Sequence, residues 1–281
     1  MKDFQDRVAV VTGAAGGIGR ATAIELARQG CHLAISDING EGLQETAGEI
    51  EALGRKVSTH VMDVADKAAM EAFPQAVLDA HGRVDIVVNN AGVAVSDYVE
   101  SISLEDFEWI VGINFWGVVY GTRFFLPHMI KAGEGHIVNI SSLFGIIGVP
   151  SQAAYCATKF AVRGFTESLR IEMMGTGIGV TAVHPGGVRT NIARSARYHH
   201  GPAGETDQKV AAADFDRIAR TTPESAGRQI AKAIRRNQGK LRIGADARLL
   251  DRIARLMPVG YQRLVHKAMV ARGKTVTKQP G

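Results

Sequence analysis

Short runs rich in β-branched residues alternate with longer stretches of helical period through most of this chain, and that alternation leaves few architectures open. The runs are RVAVVT, CHLAIS, KVSTHV, VDIVVN, HIVNIS, GIGVTAV and KLRIG. Most of them are apolar without interruption, as strands covered on both faces must be, and helical segments between such strands build βαβ units into a parallel sheet with helices on both sides. With 46% hydrophobic residues, 22% charged residues and 32 glycines, the composition is that of an ordinary globular α/β protein. The only cysteines are Cys31 and Cys156, both read as packing residues, which argues against a disulfide framework and for a reducing compartment. The N-terminus shows no signal-peptide pattern and no run reaches the length of a membrane span, so a cytoplasmic location is expected.

The first run leads directly into TGAAGGIG, with Gly13, Gly17, Ile18 and Gly19 at the turn into a helix. Glycines there let the backbone approach a pyrophosphate, and the helix N-terminus presents free amides and the positive end of its dipole. On its own the pattern also fits a glycine-rich turn that binds nothing. Asp37 ends the second run, about where an acid can accept hydrogen bonds from the adenosine ribose hydroxyls. A carboxylate at that place repels a 2′-phosphate, so NAD is expected over NADP; a preference for NADP would imply that a basic residue elsewhere, such as Arg20, reaches the phosphate. The expected fold is therefore α/β, a doubly wound Rossmann-type parallel sheet flanked by helices.

The spacing TG-x-x-x-G-x-G, NNAG at Asn89 to Gly92 and YCATK at Tyr155 to Lys159, in that order, resemble the short-chain dehydrogenase/reductase family. The resemblance is close from about Arg7 to Thr190. It implies that Asp63 and Val64 hold the adenine ring and that Asn90, Ala91 and Gly92 back the adenosine half. Pro185, Gly186, Val188 and Thr190 of PGGVRT would form the nicotinamide-side loop, and Tyr155 and Lys159 would also contact the cofactor. The catalytic set it implies is Asn114, Ser142, Tyr155 and Lys159, with Lys159 on the nicotinamide ribose and Asn114 holding a water beside it. A homotetramer or homodimer is implied as well, through the long helices around Leu104 to Ala132 and Gln152 to Met174.

The chemistry of these residues can be argued from their types. Tyr155 and Lys159 are one helical turn apart and share a face. A phenol near pKa 10 is a poor base at neutral pH, and an ammonium beside it is expected to pull that value down toward the range where acid–base catalysis works. Ser142, thirteen residues before Tyr155 and just past a strand, can donate to a substrate oxygen as charge develops there. Taken singly, each has an ordinary reading as a helix-surface pair, a turn or cap serine, or an asparagine within a helix bonded to neighbouring backbone. Their joint spacing and order favour an oxidoreductase acting on a secondary alcohol or ketone. The other readings are a dinucleotide-binding sensor or scaffold with incidental turnover, and a basic module acting through its tail.

The domain boundaries expected are 1–244 for the dinucleotide-binding and catalytic part and 245–281 for a helical tail. Residues 191–222 read as a substrate lid, a loop insertion before a short helix. Net charge is uneven: 14 Lys/Arg stand against 2 Asp/Glu from Arg228 onward, and 19 against 26 before it. The tail carries an apolar stripe of Leu249, Leu250, Ile253, Leu256 and Met257, a break at Pro258, then Leu264, Val265, Ala268 and Met269. Such a stripe reads as a buried face over the substrate cleft or a subunit contact, favouring a medium-sized hydrophobic substrate. No nucleic-acid motif accompanies it, and no stable membrane insertion is expected. His199 and His200 lack partners at ligand spacing and read as solvated residues, so no metal site is expected.

Overall fold

The structure, a computed structural model, describes residues 1–276 apart from Lys2 and Ala203, and side chains as far as Ala268. All seven expected strands join one parallel sheet: β1 (Val8–Thr12), β2 (His32–Asp37), β3 (Val57–Val61), β4 (Ile86–Asn89), β6 (Gly135–Ile140), β7 (Ile178–Pro185) and β9 (Lys240–Ile243). Their spatial order is β3-β2-β1-β4-β6-β7-β9. The winding direction reverses between β1 and β4, and in such a sheet ligands bind in the crevice beyond the carboxyl ends of those strands. A second small sheet pairs β5 (Val95–Ser96) with β8 (Arg197–Tyr198).

Side chains alternate between two apolar layers along the strands. Ala9, Val11, Leu33 and Ile35 face one way, against α1 (Gly17–Arg28), α2 (Gly40–Ala52) and α8 (Pro223–Arg235). Val8, Val10 and Val87 face the other, against α3 (Lys67–His81), α5 (Gly117–Ala132) and α6 (Ala153–Glu172). Local chemistry starts the helices where the sheet needs them. Asn39 caps α2 by accepting from Gly42 N, Asp66 caps α3 by accepting from Ala68 N and Ala69 N, and Thr222 caps α8 ahead of Pro223. α1 starts at a glycine cap with no such side-chain bond.

Three expectations are corrected. The long helix around Asn114 is two helices, α4 (Leu104–Val111) and α5, joined by a π-helical turn at Gly112–Trp116. The widened turn carries Asn114 inward until its side chain is fully buried on the backbone of Val93. Residues 191–222 contain the expected short helix, α7 (Gln208–Ile218), but the rest is not a bare loop: it holds a 3-10 turn at Asn191–Ala193 and strand β8. His199 and His200 keep much of their exposure to solvent, as expected, and each is also paired with a carboxylate. Arg197 and His199 meet Asp106 at 2.7 and 2.9 Å, His200 meets Asp97 at 2.8 Å, and the Arg197 guanidinium lies 3.8 Å over the Trp109 ring. These contacts clamp the segment onto α4 and β5.

The third correction concerns the tail, which forms α9 (Ala245–Leu256) and α10 (Tyr261–Val276). Its inward face is Ala247, Leu250 and Ala254, joined by Tyr261 and Val265, packed on Leu143, Ile146 and Ile147. Leu249, Leu256, Met257 and Leu264 of the expected stripe are exposed, and the Met269 side chain lies outside the described residues. The helix is turned by a buried carboxylate. Burial alone would raise the Asp251 carboxyl, but Lys240 at 2.8 Å and Arg242 at 2.7 Å outweigh it and hold it at about 2. With Asp251 drawn to β9, the residues beside it on the helix face inward, whatever their bulk.

Candidate active site

The glycine turn satisfies the demands of a pyrophosphate. Gly13 and Gly17 adopt φ of +66° and +55°, a conformation open chiefly to glycine. α1 begins at Gly16 with no side-chain cap and no acidic residue in its first turn, so its first amides face the crevice without a competing acceptor. Asn90 backs this turn, donating from Nδ2 to Thr12 O at 2.9 Å and Gly13 O at 3.1 Å, while Thr12 Oγ1 receives the Asn90 and Ala91 amides. Thr190 arrives from the opposite side: its methyl lies 3.2 Å from where a Cβ on Gly17 would stand.

Asp37 stands at the end of β2 beside the same turn. One carboxylate oxygen accepts from Ala15 N at 3.0 Å and the other from Asn39 N at 3.0 Å, which orients the group without neutralising it. Arg20 is committed elsewhere, paired with Glu45 at 2.8 Å and Glu49 at 2.5 Å. Asp63 is exposed after β3 and accepts from Ala65 N, whereas Val64 is buried against α5 at Gly117.

At the carboxyl end of β6 the candidate catalytic residues converge. Lys159 is 3% exposed; its Nζ donates to Ile140 O at 3.1 Å and lies 5.6 Å from the centre of the Tyr155 ring. A Cβ on Gly92 would be 3.1 Å from Asn114 Oδ1 and 3.3 Å from Lys159 Nζ, which puts all three side by side. The Asn114 side chain is engaged with Val93 N, Val93 O and Thr158 Oγ1, so any water it holds would fall to its backbone carbonyl. The Ser142 oxygen accepts from Phe144 N at 3.1 Å, leaving its own proton to donate.

The electrostatics differ from the expectation of a tyrosine made acidic by its lysine. Burial pushes the Tyr155 phenol up to about 12, with a hydrogen bond from Ser142 working against it. Burial likewise brings the Lys159 ammonium down to about 8. Taking both groups out of water disfavours both charges.

Several residues around this centre carry no motif. Asp246, on the first turn of α9, accepts from Gly187 N at 2.7 Å, and a Cβ on Gly186 would meet its carboxylate at 2.2 Å. Phe144 stands edge-on to Tyr155, ring centres 6.0 Å apart and planes at 86°. Tyr261 of the tail receives Gly148 N on its hydroxyl at 3.1 Å. The tail thus braces two walls of the crevice, the segment after Ser142 and the Gly186-Gly187 turn. Among the described residues no group of three His, Cys, Asp or Glu side chains is placed to hold a metal ion, and no helix is long and apolar enough to cross a membrane.

Residues 7–201 match the sequence model described as short chain dehydrogenase. SadH of Mycobacterium tuberculosis, which carries an oxidoreductase name, is 46% identical over 268 residues, spanning 94% of this chain and 96% of that protein. Cyclohexanol dehydrogenase of Acinetobacter sp. SE19 is 35% identical over 190 residues, 67% of this chain and 76% of that one. Among solved structures, a short chain dehydrogenase/reductase from Burkholderia phymatum in complex with NAD superposes with a TM-score of 0.83 at 30% identity, covering 91% of this chain and 95% of that one.

Proposed function

The chain belongs to the short-chain dehydrogenase/reductase family of oxidoreductases, and from that premise we propose that it interconverts a hydrophobic secondary alcohol and its ketone using NAD. The observation that carries the reading is the convergence of Ser142, Tyr155 and Lys159 beside an uncapped glycine turn. When bound, the dinucleotide supplies the hydride acceptor for oxidation or the hydride for reduction. Tyr155 takes the hydroxyl proton of the alcohol, or returns it to the ketone oxygen, and Ser142 donates to that oxygen while it carries charge. Lys159 holds the nicotinamide ribose, and Asn114 holds a water through which protons pass outward. Gly13, Gly17, Ile18 and Gly19 cradle the pyrophosphate. Asp63 and Val64 take the adenine, Asn90, Ala91 and Gly92 back the adenosine, and Pro185, Gly186, Val188 and Thr190 flank the nicotinamide.

NAD is preferred because Asp37 would accept from both ribose hydroxyls and repel a 2′-phosphate, while Arg20 is held by Glu45 and Glu49. Asp37→Ser is expected to cut the ratio of kcat/KM for NAD over NADP by at least about tenfold, the effect of roughly 1.4 kcal/mol. A parent protein that prefers NADP contradicts the assignment.

The substrate wall is apolar. Phe144 lines it against Tyr155, and Ile147, Leu250 and Tyr261 stand behind it. Along a series of 2-alkanols kcat/KM should rise by about fourfold per methylene until the pocket is full, following about 0.8 kcal/mol for each buried group. A maximum at propanol or butanol rules this wall out. Intact Ser142, Tyr155 and Lys159 speak against the alternative of a sensor or scaffold, which needs no proton path.

We further propose a homotetramer or homodimer built on α5 and α6. Trp116, Tyr120 and Phe124 stack at 5.6 and 5.9 Å along one face of that helical run, and Trp116 is 45% exposed, an aromatic display that association would cover. Light scattering at micromolar concentration should give a multiple of the 30.0 kDa chain mass. A stable monomer would remove the proposal.

A further inference from the structure

His184 belongs to none of the motifs above, yet it is fully buried on β7 directly behind the reacting groups. The end of β6 is tethered residue by residue. Ile140 O accepts from Lys159 Nζ at 3.1 Å, Ser141 Oγ donates to Lys159 O at 2.7 Å, and Ser142 O receives His184 Nδ1 at 3.1 Å. Gly145 N also donates to Ser142 O, at 3.0 Å. A carbonyl only accepts, so the imidazole carries its proton on Nδ1, and both lone pairs of Ser142 O are filled. The peptide plane after Ser142 is thereby fixed from two directions.

We propose that His184 is a positioning residue for Ser142, holding its peptide so that the hydroxyl points at the substrate oxygen. The inference rests on the reading of Ser142 as the group that touches that oxygen. Two observations support it. The other ring nitrogen, Nε2, is buried and meets no hydrogen-bond partner among the described residues. A leucine would fill this place without a bare acceptor, so the bond from Nδ1 is what an imidazole adds here. The donor is also constant. Burial brings the ring down to about 4, with Lys240 and Arg163 lowering it further and the Ser142 carbonyl and Asp251 opposing, so the ring is neutral throughout the working pH range. The site gains from such a tether because a donor aimed at developing charge loses its effect when displaced by a fraction of an ångström.

The test compares His184→Asn, whose amide nitrogen overlies Nδ1, with His184→Gln, whose amide overlies Nε2, and with His184→Leu. The assay is oxidation of 2-octanol by NAD, with melting temperature and NAD affinity measured alongside. His184→Asn should stay within about threefold of the parent kcat. His184→Gln and His184→Leu should lose about 10- to 100-fold in kcat, a part of what a lost oxyanion donor costs, with NAD affinity unchanged. The two impaired variants should also move the limb of the kcat–pH profile upward, because Ser142 works to lower the Tyr155 phenol. Should His184→Leu fail to fold, the Asn and Gln pair decides alone. Equal kcat in those two, or a loss that follows only the melting temperature, overturns the assignment. A Tyr155→Phe control that keeps the parent rate removes the functional reading, and this inference with it. An inactive Tyr155→Phe beside unimpaired Gln and Leu variants removes only the role of His184.

Discussion

Tyr155→Phe is expected to lower kcat for 2-octanol oxidation by about 10³-fold or more while leaving NAD affinity within about twofold. The phenol oxygen is the only part of the side chain removed, and the ring that packs edge-on to Phe144 remains. General acid–base catalysis contributes typically about 10²- to 10⁴-fold, and neither Lys159 nor His184 is poised to replace the oxygen. Lys159 is 3% exposed with its Nζ bonded to Ile140 O, and His184 presents its proton to a backbone carbonyl. Equilibrium titration of NAD by fluorescence, run beside steady-state kinetics, separates the two effects. A variant at the parent rate would show that proton transfer does not pass through this residue.

Ser142→Ala should follow closely, with a loss of about 10²- to 10³-fold in kcat, the range for removing one donor from developing oxyanion charge. A second signature follows from electrostatics. Burial holds the Tyr155 phenol up at about 12, and the Ser142 hydrogen bond is what lowers it, so removing the hydroxyl raises the phenol further. Alcohol oxidation needs the phenolate, whose fraction grows as pH rises. The rising limb of the kcat–pH profile should therefore move to higher pH in Ser142→Ala. A limb that stays in place, or moves down, would mean that the serine does not touch the phenol during turnover.

The parts of this protein legible in its sequence are those whose chemistry is local. A glycine turn directly after an apolar strand, and a tyrosine four residues before a lysine on one helix, each express their geometry within a few positions, so Gly13, Tyr155 and Lys159 were readable without a partner elsewhere in the chain. The strands of the main sheet were readable for a similar reason, since burial on both faces imposes an apolar run.

What the sequence did not display depends on distant pairings. Strand β8 exists because Arg197 and Tyr198 meet Val95 and Ser96, and His199 and His200 acquire partners only when Asp106 and Asp97 are folded beneath them. In the tail, side-chain bulk is a poor guide to which face turns inward. Asp251, drawn into Lys240 and Arg242, turns α9 toward Ala247, Leu250 and Ala254 instead. The expected acidic tyrosine depended on a quantity no spacing contains, the depth at which Tyr155 and Lys159 are buried. Asp246 and Phe144 carried no recognisable signal, because their contacts to Gly187 and Tyr155 are made across chain separations that no motif spans.

The central claim, that this chain transfers hydride between the carbinol carbon of an alcohol and a nicotinamide, is tested most directly by the fate of the hydrogen itself. With 2-octanol deuterated at carbon 2 and unlabelled NAD, mass spectrometry of the recovered dinucleotide should show one deuterium per turnover with the parent protein and none above background with Tyr155→Phe. Unlabelled dinucleotide from the parent, across alcohols of increasing chain length and with NADP in place of NAD, would contradict the account and leave a dinucleotide-binding protein without this chemistry.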